Sequence, residues 1–157
     1  MNEKFFDLKK EKQDRMINAS LKVFAMNGYA HASTDDIVRE AGISKGLLFH
    51  YFVSKLGLYS FIYDYSIRYV ILELTTGVDK EETDYFRLVG QIREAELQVM
   101  RNYPCMMLFL NNSRLENVSE VLLETEDKRN ILSEKYAQIL SQATGEELDE
   151  RLSREQL

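Results

Sequence analysis

The sequence predicts an all-α protein, and three observations carry that prediction. Strand-type alternation of apolar and polar residues is weak throughout. The chain has one proline, Pro104, and seven glycines that are scattered rather than clustered. Apolar residues recur three and four positions apart in successive blocks, the spacing that puts them on one face of a helix. No internal repeat and no low-complexity tract interrupts these blocks.

Residues 7–27 read as a first helix, with Ile17, Leu21 and Phe24 in register and Asn27-Gly28 closing it. Glycine closes many helices because it enters the left-handed conformation without steric penalty. Ser33 then stands as an N-cap, and Asp36 three residues on completes a capping-box pattern. That second helix is short, about 34–41, and Gly42 ends it. Ser44 is a second N-cap candidate, so a third helix runs over about 45–52. After Val53-Ser54 a long aromatic helix spans about 55–74, with Leu58, Phe61 or Ile62, Tyr65, Tyr69 and Leu72 facing inward. A fifth helix covers 83–101 through Tyr85, Leu88, Ile92, Ala95 and Val99. A sixth covers 104–115, with Pro104 at its first position, where the missing N–H is not needed. A seventh runs over 118–143, carrying Val118, Leu122, Leu132, Tyr136 and Ile139 and ended by Gly145. The last residues, "EELDERLSREQL", are polar and read as disorder or part of a cut-short helix.

With 157 residues, 45% of them hydrophobic, the chain can bury a real core. No run of about 18 apolar residues exists to span a membrane. The charged start is unlike a signal peptide, and Cys105 has no internal partner for a disulfide, so a cytoplasmic protein is expected. The net charge of −6 argues against a general polyanion binder. Its distribution is uneven. Residues 1–55 hold nine Lys or Arg and seven Asp or Glu, net +2, whereas residues 56–157 hold eleven and nineteen, net −8.

Two short helices joined by a tight glycine turn form a helix-turn-helix pattern. In such a unit the second helix enters the DNA major groove with its N-terminal residues toward the bases. Ser44 and Gly46 are small enough for close approach, and Lys45 is a donor for a phosphate or a guanine. Ile43, Leu48 and Phe52 are placed to hold the helix on its neighbours. A plain helical hairpin shares the pattern, so the pattern alone leaves both readings open.

The stretch "STDDIVREAGISKGLLFHYFVSKLGLY", with Val23 to Tyr29 before it, resembles the signature of the TetR (tetracycline-repressor) family of bacterial regulators. The similarity covers about residues 14–62; beyond residue 65 only helical character matches. The resemblance implies an N-terminal helix-turn-helix DNA-binding domain, residues 1–54, and a helical ligand-binding and dimerisation domain, residues 55–157. It implies a repressor that binds a palindromic double-stranded operator as a homodimer and is released by a small-molecule effector, with no cofactor.

For the DNA contacts it implies Ser33 as cap and phosphate contact. Ser44, Lys45, Gly46 and Leu47 stand at the turn and start of the recognition helix. Phe49, His50 and Tyr51 match an aromatic run beside the backbone, and Lys55 matches a phosphate-pairing lysine. Two positions depart from the family pattern: Leu47 replaces a threonine and Phe49 a tyrosine, and neither side chain carries a hydroxyl. His50 reads equally as an exposed histidine.

For the effector, candidate residues on the inner faces of the later helices are Phe61, Tyr65, Tyr69, Phe86, Met100, Tyr103, Met107 and Phe109, with Arg93 and Glu96 as polar anchors. Ordinary core packing and a surface salt bridge explain the same residue types. The chain is short for the family, so it is either a fragment or one that dimerises through another surface. An enzyme is not expected: His31, His50 and Cys105 fall on different elements, and "GISKG" lacks the spacing of a phosphate loop. The alternative is a helical interaction module that has lost specific DNA binding.

Overall fold

The computed structural model describes residues 3–144, and among them every regular element is helical. Packing divides the chain into two units. Among the described residues, the first joins 3–66 to 103–128, and the second joins 67–102 to 129–144.

In the first unit a 3-10 turn, Glu3–Asp7, precedes α1, Lys10–His31. The predicted end at Gly28 is a break within this span: Gly28 has φ 72° and ψ 169°, outside the helical region, and a last turn follows it. Helices α2, Thr34–Ala41, and α3, Lys45–Phe52, fall where the caps and glycines put them. Helix α4, Lys55–Gly77, outlasts its predicted end by three residues. Ile17, Leu21, Ile37, Leu48, Leu58 and Ile62 are each at most 1% exposed and knit α1 to α4 into one core.

Aromatic rings fill the rest. Phe5 stands 5.3 Å from Phe52 and 5.1 Å from Phe61, which is itself 4.9 Å from Phe52. Phe24 and Phe109 flank Tyr59 at 5.1 and 5.4 Å. These separations suit edge-on and tilted ring pairs. Nothing in the sequence marks Phe5 as core, because the charged residues around it hide a single buried ring.

The link between α3 and α4 is strained. Val53 has φ 67° and ψ −46°, and the Ser54 N–H donates to the Phe52 carbonyl at 2.7 Å, closing a three-residue turn around it. Turns of this hand are uncommon, and a β-branched side chain makes them worse. The same Phe52 carbonyl blocks a side chain at Gly57, where an added Cβ would overlap its oxygen. Ser54 completes the junction by accepting the Gly57 N–H at 3.0 Å, capping α4. Val53 is 81% exposed, so removing its side chain loses little packing. Val53→Gly is therefore expected to raise the unfolding free energy by about 1 kcal/mol, read from urea midpoints at unchanged m.

Helix α6, Met106–Ser113, starts two residues after Pro104. A turn from the Met106 N–H to the Tyr103 carbonyl, 3.1 Å, comes first, so Pro104 precedes the cap instead of opening the helix. The predicted helix over 118–143 is two helices, α7, Ser119–Glu124, and α8, Ile131–Leu140. Buried Thr125 ends α7 by bonding its hydroxyl back to the Val121 carbonyl at 2.8 Å, and the next turn is tied to α4 by Lys128 and Asp64 at 3.0 Å. Apolar spacing continues across this break, which is why periodicity alone reads as one helix. Gly145 and the polar tail lie outside the described residues.

The second unit contains the remainder of α4, α5, Tyr85–Asn102, and α8. Leu88, Ile92, Ala95 and Val99 are buried as their spacing predicts, whereas Tyr85 is half-buried. On α4, Ile67, Val70 and Leu74 take the inward face expected of Tyr69 and Leu72. Leu72 is 58% exposed, a correction of one helical step in the predicted stripe.

Candidate nucleic-acid interface

Helix α2 opens with the Ser33 hydroxyl accepting the Asp35 N–H at 3.1 Å. The capping box is not closed by Asp36. Its carboxylate turns forward to Arg39 at 3.0 Å, since aspartate is one methylene shorter than the glutamate that reaches back in such boxes. At the far end Gly42, with φ 69° and ψ 37°, takes the left-handed conformation. The Ile43 N–H then reaches the Val38 carbonyl at 3.1 Å and the Gly42 N–H the Arg39 carbonyl at 3.3 Å. This is the paired closure that glycine permits at a helix end. One residue later Ser44 accepts the Leu47 N–H at 3.1 Å and starts α3. The two caps and the one glycine fix the turn between the helices.

Leu48 and Phe52 are 1% and 5% exposed and fasten α3 to the core, as predicted. The opposite face is open. Ser44, Lys45, Gly46 and His50 are exposed, while Leu47, Phe49 and Tyr51 are half-buried. A side chain at Gly46 would meet nothing within 4 Å, so only an external body makes its small size matter. Tyr51 leans edge-on against Phe5 at 5.9 Å and against His50 at 4.9 Å.

The charges on this face are largely paired within the protein. Lys45 is 2.9 Å from Asp35, Arg39 is 3.0 Å from Asp36, and Lys22 is 2.8 Å from Glu40. Lys45 holds the Asp35 carboxyl below its ordinary range through a hydrogen bond and its charge. The hydrogen bond and charge of Glu40 likewise raise the pKa of the Lys22 ammonium. Asp35 carries no motif signal in the sequence; ten residues separate it from Lys45, and only the fold brings them together.

Lys55 has an internal post. Its ammonium donates to the carbonyls of Tyr29 at 2.8 Å and Ala32 at 3.2 Å, and sits 4.4 Å from the centre of the Tyr29 ring. It thus ties the first turn of α4 to the last turn of α1 and to Ala32 just after it. The pKa of the Tyr29 hydroxyl is pushed up to about 12, by burial first and by its hydrogen bond to Glu120 next.

The effector candidates divide between the units. In the first, Phe61 is 3% exposed inside the aromatic cluster, and Phe109 and Tyr103 are each 2% exposed. The Tyr65 and Tyr103 hydroxyls are 2.5 Å apart, and Tyr103 donates onward to Asp14 at 3.2 Å. Burial and the Tyr103 hydrogen bond raise the pKa of the Tyr65 hydroxyl above its usual range. Met107 is half-buried. In the second unit Tyr69 accepts from Asn102 at 2.7 Å, Phe86 is half-buried against Tyr85, and Glu96 accepts from Tyr136 at 2.7 Å. Arg93 is exposed and Met100 is 45% exposed. A groove of about 620 Å³ runs along α1, lined among others by Arg15, Asn18, Lys22 and Cys105; none of these effector candidates lines it.

A core-fastened second helix, a capped glycine turn and an open N-terminal end define a helix-turn-helix unit, the class whose second helix enters a DNA groove. Residues 16–60 match the family model described as "Bacterial regulatory proteins, tetR family". Over this stretch, which contains α2 and α3, the chain is similar to the TetR family. It is 38% identical over 93 residues to YuxN of Bacillus subtilis (strain 168), described as an uncharacterized HTH-type transcriptional regulator, covering 57% of this chain and 32% of that protein. It is 40% identical over 47 residues to TtgW of Pseudomonas putida, described in the same words, covering 30% and 35%. The chain thus spans about a third of the length of these curated relatives. A crystal structure assigned to a tetR family transcription regulator of Shewanella sp. PV-4 shares the fold, with TM-score 0.59 and 23% identity over 85% of this chain and 70% of that one.

Proposed function

We propose that the chain is a DNA-binding transcriptional regulator that reads a palindromic operator as a homodimer, represses from it, and leaves it when a small molecule binds. The observation that carries this reading is the exposed N-terminal end of α3, set by the Ser44 cap on a helix whose other face is buried through Leu48 and Phe52. A helix held this way can enter a major groove without rearranging its core. A two-fold dimer suits the task because two half-sites about one helical turn apart must be met together. The division of labour follows the resemblance: residues 1–54 read DNA, and residues 55–157 take up the effector and dimerise. Such a protein works in the cytoplasm, where DNA and metabolites meet.

Ser33, Ser44, Lys45, Gly46, Leu47, Phe49, His50 and Tyr51 form the contact surface in this reading. Leu47 offers a thymine methyl an apolar neighbour. Phe49 has no hydroxyl to give a phosphate, and Tyr51 supplies one nearby.

Selection of bound sequences from a random duplex pool tests the reading. An inverted repeat with half-sites about one turn apart is the expected product, and recovery of no shared sequence overturns it. On the selected site Lys45→Ala is expected to weaken binding about tenfold, in line with the ~1–3 kcal/mol of a good base contact. Equal affinities in a gel-shift titration would remove Lys45 from the interface.

A further inference from the structure

The N-terminal segment that presents α3 has almost no electrostatic surplus. Residues 1–55 carry a net charge of only +2, and α2 supplies three acids, Asp35, Asp36 and Glu40, each paired with a nearby cation. Two of those pairs have plain structural readings. Asp36 and Arg39 are neighbours on one helix, and Glu40 and Lys22 join α2 to α1. The third is different, because Asp35 reaches across the turn to the first residue of α3. Both partners stay open to solvent, with side chains 54% exposed for Lys45 and 62% for Asp35.

An ammonium has three protons, and Asp35 takes one of them. The other two remain free to donate. What they can meet depends on the charge of the acceptor. A phosphate oxygen drawn to Lys45 brings a negative charge beside the Asp35 carboxylate, and the repulsion offsets much of the attraction. A guanine O6 or N7 is neutral and meets no such opposition. The carboxylate therefore leaves Lys45 a good donor to base edges while making it a poor partner for the DNA backbone.

We propose that Asp35 is a specificity-determining residue, which holds Lys45 back from phosphates and reserves it for a neutral acceptor on a base, a guanine edge foremost. The proposal rests on the reading of α3 as the recognition helix and adds a mechanism to it. Non-specific binding is almost wholly phosphate contact, so weakening one phosphate contact per recognition helix widens the gap between operator and bulk DNA. A protein with net charge −6 gains little from general attraction to DNA and depends on that gap.

The test compares the full chain with Asp35→Asn, which keeps the size of the side chain and removes its charge. Affinity is measured for the selected operator and for a scrambled duplex of equal length, across a series of salt concentrations. On scrambled DNA the variant is expected to bind up to about fivefold more tightly per recognition helix, the upper range for freeing an exposed ion pair. Its log–log salt slope there steepens by about 0.9 for each phosphate newly engaged. Operator affinity rises less, so the specificity ratio falls. In a Lys45→Ala background the same change should leave the ratio unmoved, since the filter acts through Lys45.

Equal gains on both duplexes, with the ratio intact, would overturn the proposal and reduce Asp35 to a general repulsive charge. Loss of operator binding alone would also overturn it, by making Asp35 itself a base contact, such as an acceptor from cytosine N4. The wild-type titration separates failures: a chain that prefers no sequence sinks the regulator reading, whereas a selective chain with an indifferent Asp35→Asn sinks only the filter. Urea unfolding of the variant, with an unchanged midpoint, shows that neither outcome stems from misfolding.

Discussion

Leu48→Ala is expected to lower the unfolding free energy by about 2–5 kcal/mol and to remove operator binding at temperatures where the rest of the chain is still folded. Leu48 is 1% exposed and is one of two residues, with Phe52, that fasten α3 to the core. Truncation removes buried methyl groups and leaves a cavity beneath a helix of eight residues, too short to persist without tertiary support. The loss therefore falls first on α3. Urea unfolding by circular dichroism checks the stability, and hydrogen exchange checks the order. Amides of α3 should exchange ahead of those of α1. A variant in which all helices lose protection equally would show that α3 has no separate stability.

Lys55→Met is the second large effect, expected to lower stability by about 2–3 kcal/mol through the loss of charged hydrogen bonds to the Tyr29 and Ala32 carbonyls. Methionine keeps the length and apolar stem of the side chain, so the change isolates the ammonium. The family resemblance gives this lysine to a phosphate, whereas its geometry in the free protein gives it to two carbonyls. The two roles separate in one experiment. A carbonyl clamp appears as a lower urea midpoint with no DNA present. A phosphate contact appears as a shallower dependence of operator affinity on salt. An unchanged midpoint would refute the clamp. Lys55→Arg should restore stability only in part, because a planar guanidinium does not fit where a compact ammonium serves two converging carbonyls.

Ser33, Gly42 and Ser44 show why the helix-turn-helix is legible in the sequence. Each sets the backbone by a rule local to a few residues, a side-chain cap or a left-handed turn, and local rules survive without knowledge of the fold. The limits of α2 and α3 follow from them. The later helices are less legible. From Val118 to Ile139 apolar residues keep helical spacing across a real break, because Thr125 and the Lys128–Asp64 pair end the helix through partners the spacing does not encode. Leu72 is misplaced for a related reason. On a helix apolar almost all round, several stripes satisfy the period, and the surrounding helices choose among them.

The site is legible to a similar depth. Lys45 and Ser44 can be named from their place at the start of a helix. Asp35 cannot, since its part depends on a contact across a turn. Nor can Gly57, whose need for a bare Cα comes from the Phe52 carbonyl that the strained Val53 turn directs at it.

The hydroxyl chain from Tyr65 through Tyr103 to Asp14 has an optical consequence. The chain has nine tyrosines and no tryptophan, so the long-wavelength edge of its near-ultraviolet absorption belongs to phenol rings, its eight phenylalanines absorbing at shorter wavelength. Tyr103 is 2% exposed and donates to a carboxylate, a setting that shifts its absorption from that of a ring in water. Any movement that draws α4 away from Tyr103 changes that setting. The molecule thus carries its own dye where α4 meets the segment leading into α6, and a difference spectrum can follow that junction with no label attached.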